Sequence, residues 1–173
     1  MAVLPPVTPS KVVCAAGNFR GRLREIGRDP SDGPMLFLKP PSAVIGSGQA
    51  IVLPRATARV EAECELALVM GRMCRNVAPA DVAKCLFGYA CANDVTARDW
   101  QKRLGGGQWC TGKGFDTFCP LGPVLVTRDE IPNPNALRIR TTVNGEERHN
   151  GSTSHMIADG PARIACLSSC QTL

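Results

Sequence analysis

Glu61-Ala62-Glu63-Cys64-Glu65-Leu66-Ala67-Leu68-Val69-Met70-Gly71 reads as a long strand with an unusual head. Three glutamates alternate with small or apolar residues and run into an apolar segment that asks to be buried. Side chains on a strand alternate faces with period two, so Glu61, Glu63 and Glu65 share one face and Ala62, Cys64 and Leu66 the other. Same-face neighbours lie ~7 Å apart. Like charges at that spacing beside an apolar run are unfavourable unless water, a cation or basic groups lie among them. The row is therefore either a wet sheet edge or one wall of a binding site.

Working outward, strands dominate. Lys11 to Ala16, Met35 to Leu38, Ala50 to Leu53, Gly88 to Ala92, Leu121 to Thr127 and Leu137 to Val143 read as further strands, and Asn144-Gly145 is a two-residue hairpin signal. Asn18 to Arg28 reads as a short basic helix or loop. Ala78-Pro79-Ala80-Asp81 opens a helix that runs to about Phe87, and Val95 to Arg103 reads as another. Strand and helix do not alternate regularly, so the pattern predicts an α+β fold, mainly β, around a mixed sheet.

With 173 residues, 44% hydrophobic and 20% charged, the chain is long enough for one domain with a core. The formal net charge is +5, but the basic residues are scattered and aromatics make up only 5%, which argues against nucleic-acid binding. No apolar run reaches the ~18 residues of a membrane span, and the N-terminus lacks the charged and apolar regions of a signal peptide. Nine cysteines contain no C-x-x-C pair and are odd in number. They read as small buried hydrophobes of a reducing compartment, placing the protein in the cytoplasm.

Two other features bear on the glutamate row. Gly88-Tyr89-Ala90-Cys91-Ala92-Asn93-Asp94 ends an apolar strand with an acid. Two carboxylates from one strand and one from a neighbour would make an oxygen-rich site of the kind hard cations prefer. No His/Cys set has zinc spacing. In Gly112-Lys113-Gly114-Phe115-Asp116 a lysine stands between two glycines, either on a surface turn or where backbone approaches a ligand closely. Beside a carboxylate site it could bind a substrate carboxylate or stabilise an enolate. His149 and His155 read as surface residues.

The ordered series of segments resembles the fumarylacetoacetate hydrolase family. It runs from Pro5-Pro6-Val7-Thr8-Pro9-Ser10-Lys11 through Met35-Leu36-Phe37-Leu38-Lys39-Pro40-Pro41-Ser42 to Glu63-Cys64-Glu65-Leu66. It continues through Asn93-Asp94-Val95-Thr96-Ala97-Arg98-Asp99, then the segment from Gly112 to Pro123, and ends with Val143-Asn144-Gly145 and Gly151 to Ile157. The nearest likeness is to small members acting on acylpyruvates and related 2-oxo acids. The resemblance implies a mixed β-sandwich roll, with residues 1–45 as N-terminal strand, lid segment and connecting loop, and 46–173 as the catalytic domain. It implies a homodimer, and one Mg²⁺ or Mn²⁺ held by Glu63, Glu65 and Asp94. It further implies Lys113 as a catalytic and substrate-site lysine, and Arg98 and Gln101 as substrate contacts. Arg98 could instead pair with Asp99 or Asp116. The expected substrate is a small 2-oxo or 2-hydroxy-enoic acid, processed by C–C hydrolysis, isomerisation or decarboxylation in aromatic-compound catabolism.

Two departures stand out. Hydrolytic members carry Asn-aromatic-x-x-His-x-x-Glu on the lid. Here the segment from Asn18 to Glu25 keeps the acid, Glu25, as the candidate acid/base, but holds Arg22 at the histidine position. An arginine stays protonated and cannot act as a base near pH 7. That favours isomerisation, tautomerisation or decarboxylation over hydrolysis. Family members also continue into a Gly-Asp-Val-Ile-x-Thr-Gly-Thr-Pro stretch, whereas this sequence ends at Leu173. Asp159-Gly160-Pro161 is expected to interrupt a helix there. The alternative reading is a shortened, catalytically impaired remnant or a partner-dependent subunit, lacking the last strands.

Overall fold

Strands carry most of the regular structure in this computed structural model, which describes residues 1–29 and 35–173. The stretch 30–34, part of the expected connecting loop, lies outside the described residues. In chain order come β1 (Val12–Ala16), α1 (Arg20–Glu25), β2 (Met35–Lys39), β3 (Val44–Ile45), β4 (Val60–Glu61), β5 (Cys64–Met70), β6 (Leu86–Asn93) and β7 (Thr96–Ala97). A π-helical turn, Trp100–Leu104, and α2 (Trp109–Lys113) precede β8 (Cys119–Pro120), β9 (Val126–Thr127), β10 (Arg138–Val143), β11 (Glu146–Ser152) and α3 (Gly160–Cys170). β5, β6 and β9 form a three-stranded sheet, while β1 pairs with β2, β3 with β8, β4 with β7 and β10 with β11. The β3–β8 pair is parallel, whereas β4–β7, β6–β9 and β10–β11 are antiparallel. The architecture is α+β and mainly β, with mixed pairing, as the sequence pattern predicts. Among the described residues no helix is long and apolar enough to cross a membrane.

The chain forms two compact units. The first comprises Met1–Cys14, Leu36–Leu66 and Ala90–Leu125. Its core is Val95, Ala97 and Phe118, fully or almost fully buried, with Val60, Trp100 and Phe115 packed against them. Phe115 lies edge-on to Trp100 at 6.1 Å and tilted to Phe118 at 5.3 Å between ring centroids. The second unit comprises Ala15–Met35, Ala67–Tyr89 and Val126–Leu173. There α3 packs on the 3₁₀ turn Pro79–Lys84, burying Ile164, Leu167 and Val82. Arg75 caps the end of α3, donating to the carbonyls of Ser168 at 2.9 Å and Ser169 at 2.6 Å, where a helix leaves acceptors unpaired.

Several elements differ from expectation for identifiable reasons. The strand over 61–70 is broken at Ala62-Glu63. There the Glu63 N–H donates to the Asn93 side chain at 3.0 Å, and its carbonyl accepts from the Asp94 N–H at 2.9 Å. Ala50 to Leu53 is not a strand: the Val52 N–H is satisfied by the Thr117 hydroxyl at 2.8 Å. The helix expected to reach Phe87 is only the 3₁₀ turn, since Leu86 and Phe87 already belong to β6. Thr96 and Ala97 pair with β4 as β7, so the helical turns begin at Arg98. In the segment from Leu121 to Thr127, Gly122-Pro123 cuts regular pairing down to β9, proline having no N–H to donate. Asp159-Gly160-Pro161 starts a helix and does not interrupt one. The Asp159 carboxylate caps it by accepting from Ala162 N–H at 2.9 Å, and Pro161 falls in the first turn, where its missing donor costs nothing. The hairpin is as predicted: Asn144 and Gly145 both take the left-handed backbone a two-residue turn needs. All nine cysteines are free thiols, but only Cys74 and Cys119 are buried, while Cys91, Cys166 and Cys170 are exposed.

Candidate active site

The first unit gathers Glu63, Glu65, Asp94, Arg98, Gln101 and Lys113 into one buried charged cluster. Local structure accounts for each placement. The Asp94–Glu63 backbone bond and the Asn93 side chain on Glu63 set the head of β5 against the end of β6. The Arg98 N–H donates to the Arg59 carbonyl at 2.8 Å, extending the β4–β7 pairing to the guanidinium-bearing residue. Next to it, Asp99 anchors the loop before β4, accepting from Thr57 Oγ1 and, at 3.0 Å, from the Ala58 N–H. Gly112 lets α2 come this close, because a Cβ there would lie 2.8 Å from the Gln101 nitrogen. Lys113, the last residue of α2, is thereby driven inward and is 1% exposed.

Lys113 commits all three ammonium hydrogens. Nζ donates to Glu63 Oε2 at 2.7 Å, to Thr96 Oγ1 at 2.9 Å and to Asp94 Oδ2, with the Phe37 ring 4.8 Å below. The Asp94 carboxylate is held on its other side by Lys39, whose Nζ is 2.6 Å from Oδ1. Lys39, 2% exposed, also donates to the Val95 carbonyl at 3.2 Å and to the Lys113 carbonyl. Arg98 Nη2 bonds Glu63 Oε1, Nη1 donates to Gln101 Oε1 at 2.8 Å, and Nε donates to Glu61 Oε2 at 2.7 Å. Asp99 and Asp116, the sequence alternatives, are not its partners. Arg59 closes the outer end on Glu61 at 2.6 Å. Charge alternates in a chain from exposed Arg59 through Glu61, Arg98, Glu63, Lys113 and Asp94 to buried Lys39.

The electrostatics follow from this wiring. Burial pushes Glu63 upward, but Lys113 and Arg98 outweigh it and hold the carboxyl down to about 2. Glu65 has no hydrogen-bond or ion-pair partner among the described residues. Burial, reinforced by the charges of Asp94 and Glu63, raises it to about 7. Burial also pushes Asp94 up, while Lys113 and Lys39 pull against it.

The donor chemistry fits a hard divalent cation: three carboxylates and no nitrogen or sulfur ligand. Glu65 faces two like charges, and the buried Asp94 Oδ1 has the Lys39 ammonium 2.6 Å away. Among the described residues no three such groups form a ready ligand shell, because the Lys113 ammonium stands between Glu63 and Asp94.

Glu25 is not part of this cluster. It lies on α1 in the second unit, exposed, and paired with Arg22 at 2.8 Å. Two members were missed in the sequence. Lys39 carried no usable signal, since Phe37 and Lys39 share the inward face of β2 while the apolar Leu36 and Leu38 are 41% and 46% exposed. The role of Thr96 as the third acceptor for Lys113 carried none.

The family described as "Fumarylacetoacetate (FAA) hydrolase C-terminal" matches residues 11–173. The human protein named oxaloacetate tautomerase FAHD2A, mitochondrial, is 41% identical over 166 residues, covering 95% of this chain and 53% of its own length. Protein Rv2993c of Mycobacterium tuberculosis is 42% identical over 171 residues, 99% of this chain and 64% of that protein. Among solved structures, a 2-hydroxyhepta-2,4-diene-1,7-dioate isomerase from Mycobacterium marinum superposes with a TM-score of 0.87 at 41% identity, over 98% of this chain and 62% of that one. A 5-carboxymethyl-2-hydroxymuconate delta-isomerase from Mycobacterium smegmatis gives 0.88 at 40% identity, over 99% and 66%. The chain thus spans between about half and two-thirds of the length of these relatives.

Proposed function

The chain belongs to the fumarylacetoacetate hydrolase family, and on that premise we propose that it is a divalent-metal-dependent enzyme interconverting tautomers or isomers of small 2-oxo acids. One observation carries the reading. Lys113 is bonded to Glu63 and Asp94 and Arg98 to Glu63, while Glu65 is buried near both acids without a basic partner among the described residues. That combination suits an anionic substrate and a developing enolate, in keeping with the tautomerase and isomerase names of the relatives.

Glu63, Glu65 and Asp94 would hold Mg²⁺ or Mn²⁺, which supplies Lewis acidity toward a 2-oxo oxygen. Arg98 receives the substrate carboxylate, with Gln101 fixing its guanidinium. Lys113, once a substrate oxygen or a cation takes over part of its contact with Glu63 and Asp94, offers its ammonium to the developing enolate oxygen. A proton leaves the carbon next to the carbonyl and one is delivered to the oxygen or to a further carbon, so the product is an isomer and no water is consumed. Glu25 is the proton carrier that the lid motif proposes, and it is exposed and paired with Arg22 at 2.8 Å. With Arg22 at the lid histidine position, water activation has no base there, so isomerisation or tautomerisation is preferred to C–C hydrolysis. Nine free thiols fit a reducing compartment, the cytoplasm, and a homodimer is the expected assembly.

The test is calorimetric titration of Mn²⁺ into stripped protein, with Glu63→Ala as control, followed by keto–enol equilibration of oxaloacetate read by ultraviolet absorbance. One site per chain, lost in the variant, and a metal-dependent rate abolished by Glu65→Ala are expected. Activity that survives both Glu65→Ala and chelation overturns the reading.

A further inference from the structure

We infer that Glu61 is a positioning residue for Arg98, holding its guanidinium so that one N–H on each terminal nitrogen stays available to a substrate carboxylate. This rests on the proposed role of Arg98 in binding that carboxylate. Glu61 is the member of the glutamate row that the family resemblance leaves without a ligand role.

The geometry is specific. A guanidinium has five N–H donors in a rigid plane. In Arg98 the Nε–H goes to Glu61 Oε2 at 2.7 Å, one Nη1 hydrogen to Gln101 Oε1 at 2.8 Å, and one Nη2 hydrogen to Glu63 Oε1. Two hydrogens remain, one per terminal nitrogen, enough for a carboxylate to accept one bond from each. Backbone fixes the distance. Glu61 pairs with Thr96 across β4–β7, and Arg98 N–H bonds the Arg59 carbonyl two residues on. Glu61 is itself pinned from outside by Arg59, at 2.7 Å from Nε and 2.6 Å from Nη2 to Oε1. Glu61 borders a cleft of about 400 Å³ whose lining includes Ile51, Leu53, Val60 and Val95.

Glu63 cannot hold Arg98 alone. Its two oxygens are divided between Arg98 and Lys113, and a cation on the carboxylates would draw on the same oxygens. Glu61 has no such rival, because its partners are Arg98 and Arg59. When Glu63 is engaged elsewhere, Glu61 and Gln101 keep the guanidinium in place.

Steady-state kinetics with oxaloacetate on the wild type, Glu61→Gln, Arg98→Lys and the double variant test this. Glu61→Gln is expected to raise KM about tenfold with kcat within about twofold, the signature of lost uniform binding. In the Arg98→Lys background it should add nothing further, and Mn²⁺ stoichiometry should be unchanged. Glu61→Asp, which keeps the charge, should recover part of the KM and serves as the readout if Glu61→Gln does not fold. An unchanged KM, a loss confined to kcat, equal effects in both backgrounds, or loss of the Mn²⁺ site overturns the inference. If the wild type turns over no 2-oxo acid, the proposed function fails. The hold on Arg98 is then read from its Nε–H resonance by ¹⁵N NMR, identified by its loss in Arg98→Lys. Slow exchange in the wild type and fast exchange in Glu61→Gln uphold it, and identical exchange in both overturns it.

Discussion

Glu65 is the acid in the cluster without a cation of its own. Its neighbours Glu63 and Asp94 are each held by two basic groups, while burial and those two charges lift Glu65 from the model-peptide value of 4.5 to about 7. A carboxyl raised in the folded state holds a proton that the unfolded chain has released between those two values. Its contribution to stability is therefore full below about pH 4.5 and declines as pH rises toward and through 7. Glu65→Gln removes the titration and keeps the neutral shape. In metal-free protein the variant should melt above the wild type at pH 8, by the equivalent of about 2 kcal/mol, and match it at pH 4. Scanning calorimetry at the two pH values checks this, and a variant less stable than the wild type at pH 8 would show that Glu65 is already neutralised by a partner. Mn²⁺ should reverse the order, stabilising the wild type alone.

Elements place these residues through close backbone approaches that a single methyl group would block. Gly88 in β6 lies so near β9 that a Cβ would sit 2.1 Å from the Val126 carbonyl oxygen and 3.1 Å from the Thr127 Cα, both backbone atoms that cannot step aside. Gly88→Ala should therefore break the β6–β9 pairing and cost about 3 kcal/mol, read as a shifted urea midpoint with unchanged slope. Elements and site were not equally legible in the sequence. Glu63, Glu65, Asp94 and Lys113 stood out because charges at the ends of apolar strands or between glycines need partners. The Glu61–Arg98 link was hidden, since its residues are far apart in sequence and only the β4–β7 pairing joins them. Lys39 was hidden for a different reason: an apolar strand ending in lysine looks like a strand reaching water, and the inward direction of β2 decides otherwise. Asp159-Gly160-Pro161 misled because proline's effect depends on its position from the cap, which composition does not reveal. The apolar run at Ala50 to Leu53 suggested a strand, but the Thr117 hydroxyl satisfies the Val52 N–H that a ladder would have used.

At the scale of the molecule, the two units are threaded together by the chain itself. Each consists of three separate segments, so the backbone passes from one to the other at residues 14–15, 35–36, 66–67, 89–90 and 125–126. Four of these passages fall inside strands: β1 and β5 begin in the first unit and end in the second, and β2 and β6 run the other way. A strand that loses its pairing in one unit cannot keep its neighbouring residues extended and bonded without cost in the other, so local melting should not stop at the division. Unfolding is expected as one transition. Trp100 and Trp109 both report on the first unit, whereas Gly88 lies in the second. Tryptophan emission and far-UV ellipticity should share a midpoint, and Gly88→Ala should lower both equally. A tryptophan midpoint left unmoved by that substitution would mean that the second unit opens alone. The charged cluster would then survive on a partly unfolded chain, and Mn²⁺ binding measured at the intermediate urea concentration would be retained. A single transition predicts instead that Mn²⁺ binding and second-unit structure disappear together.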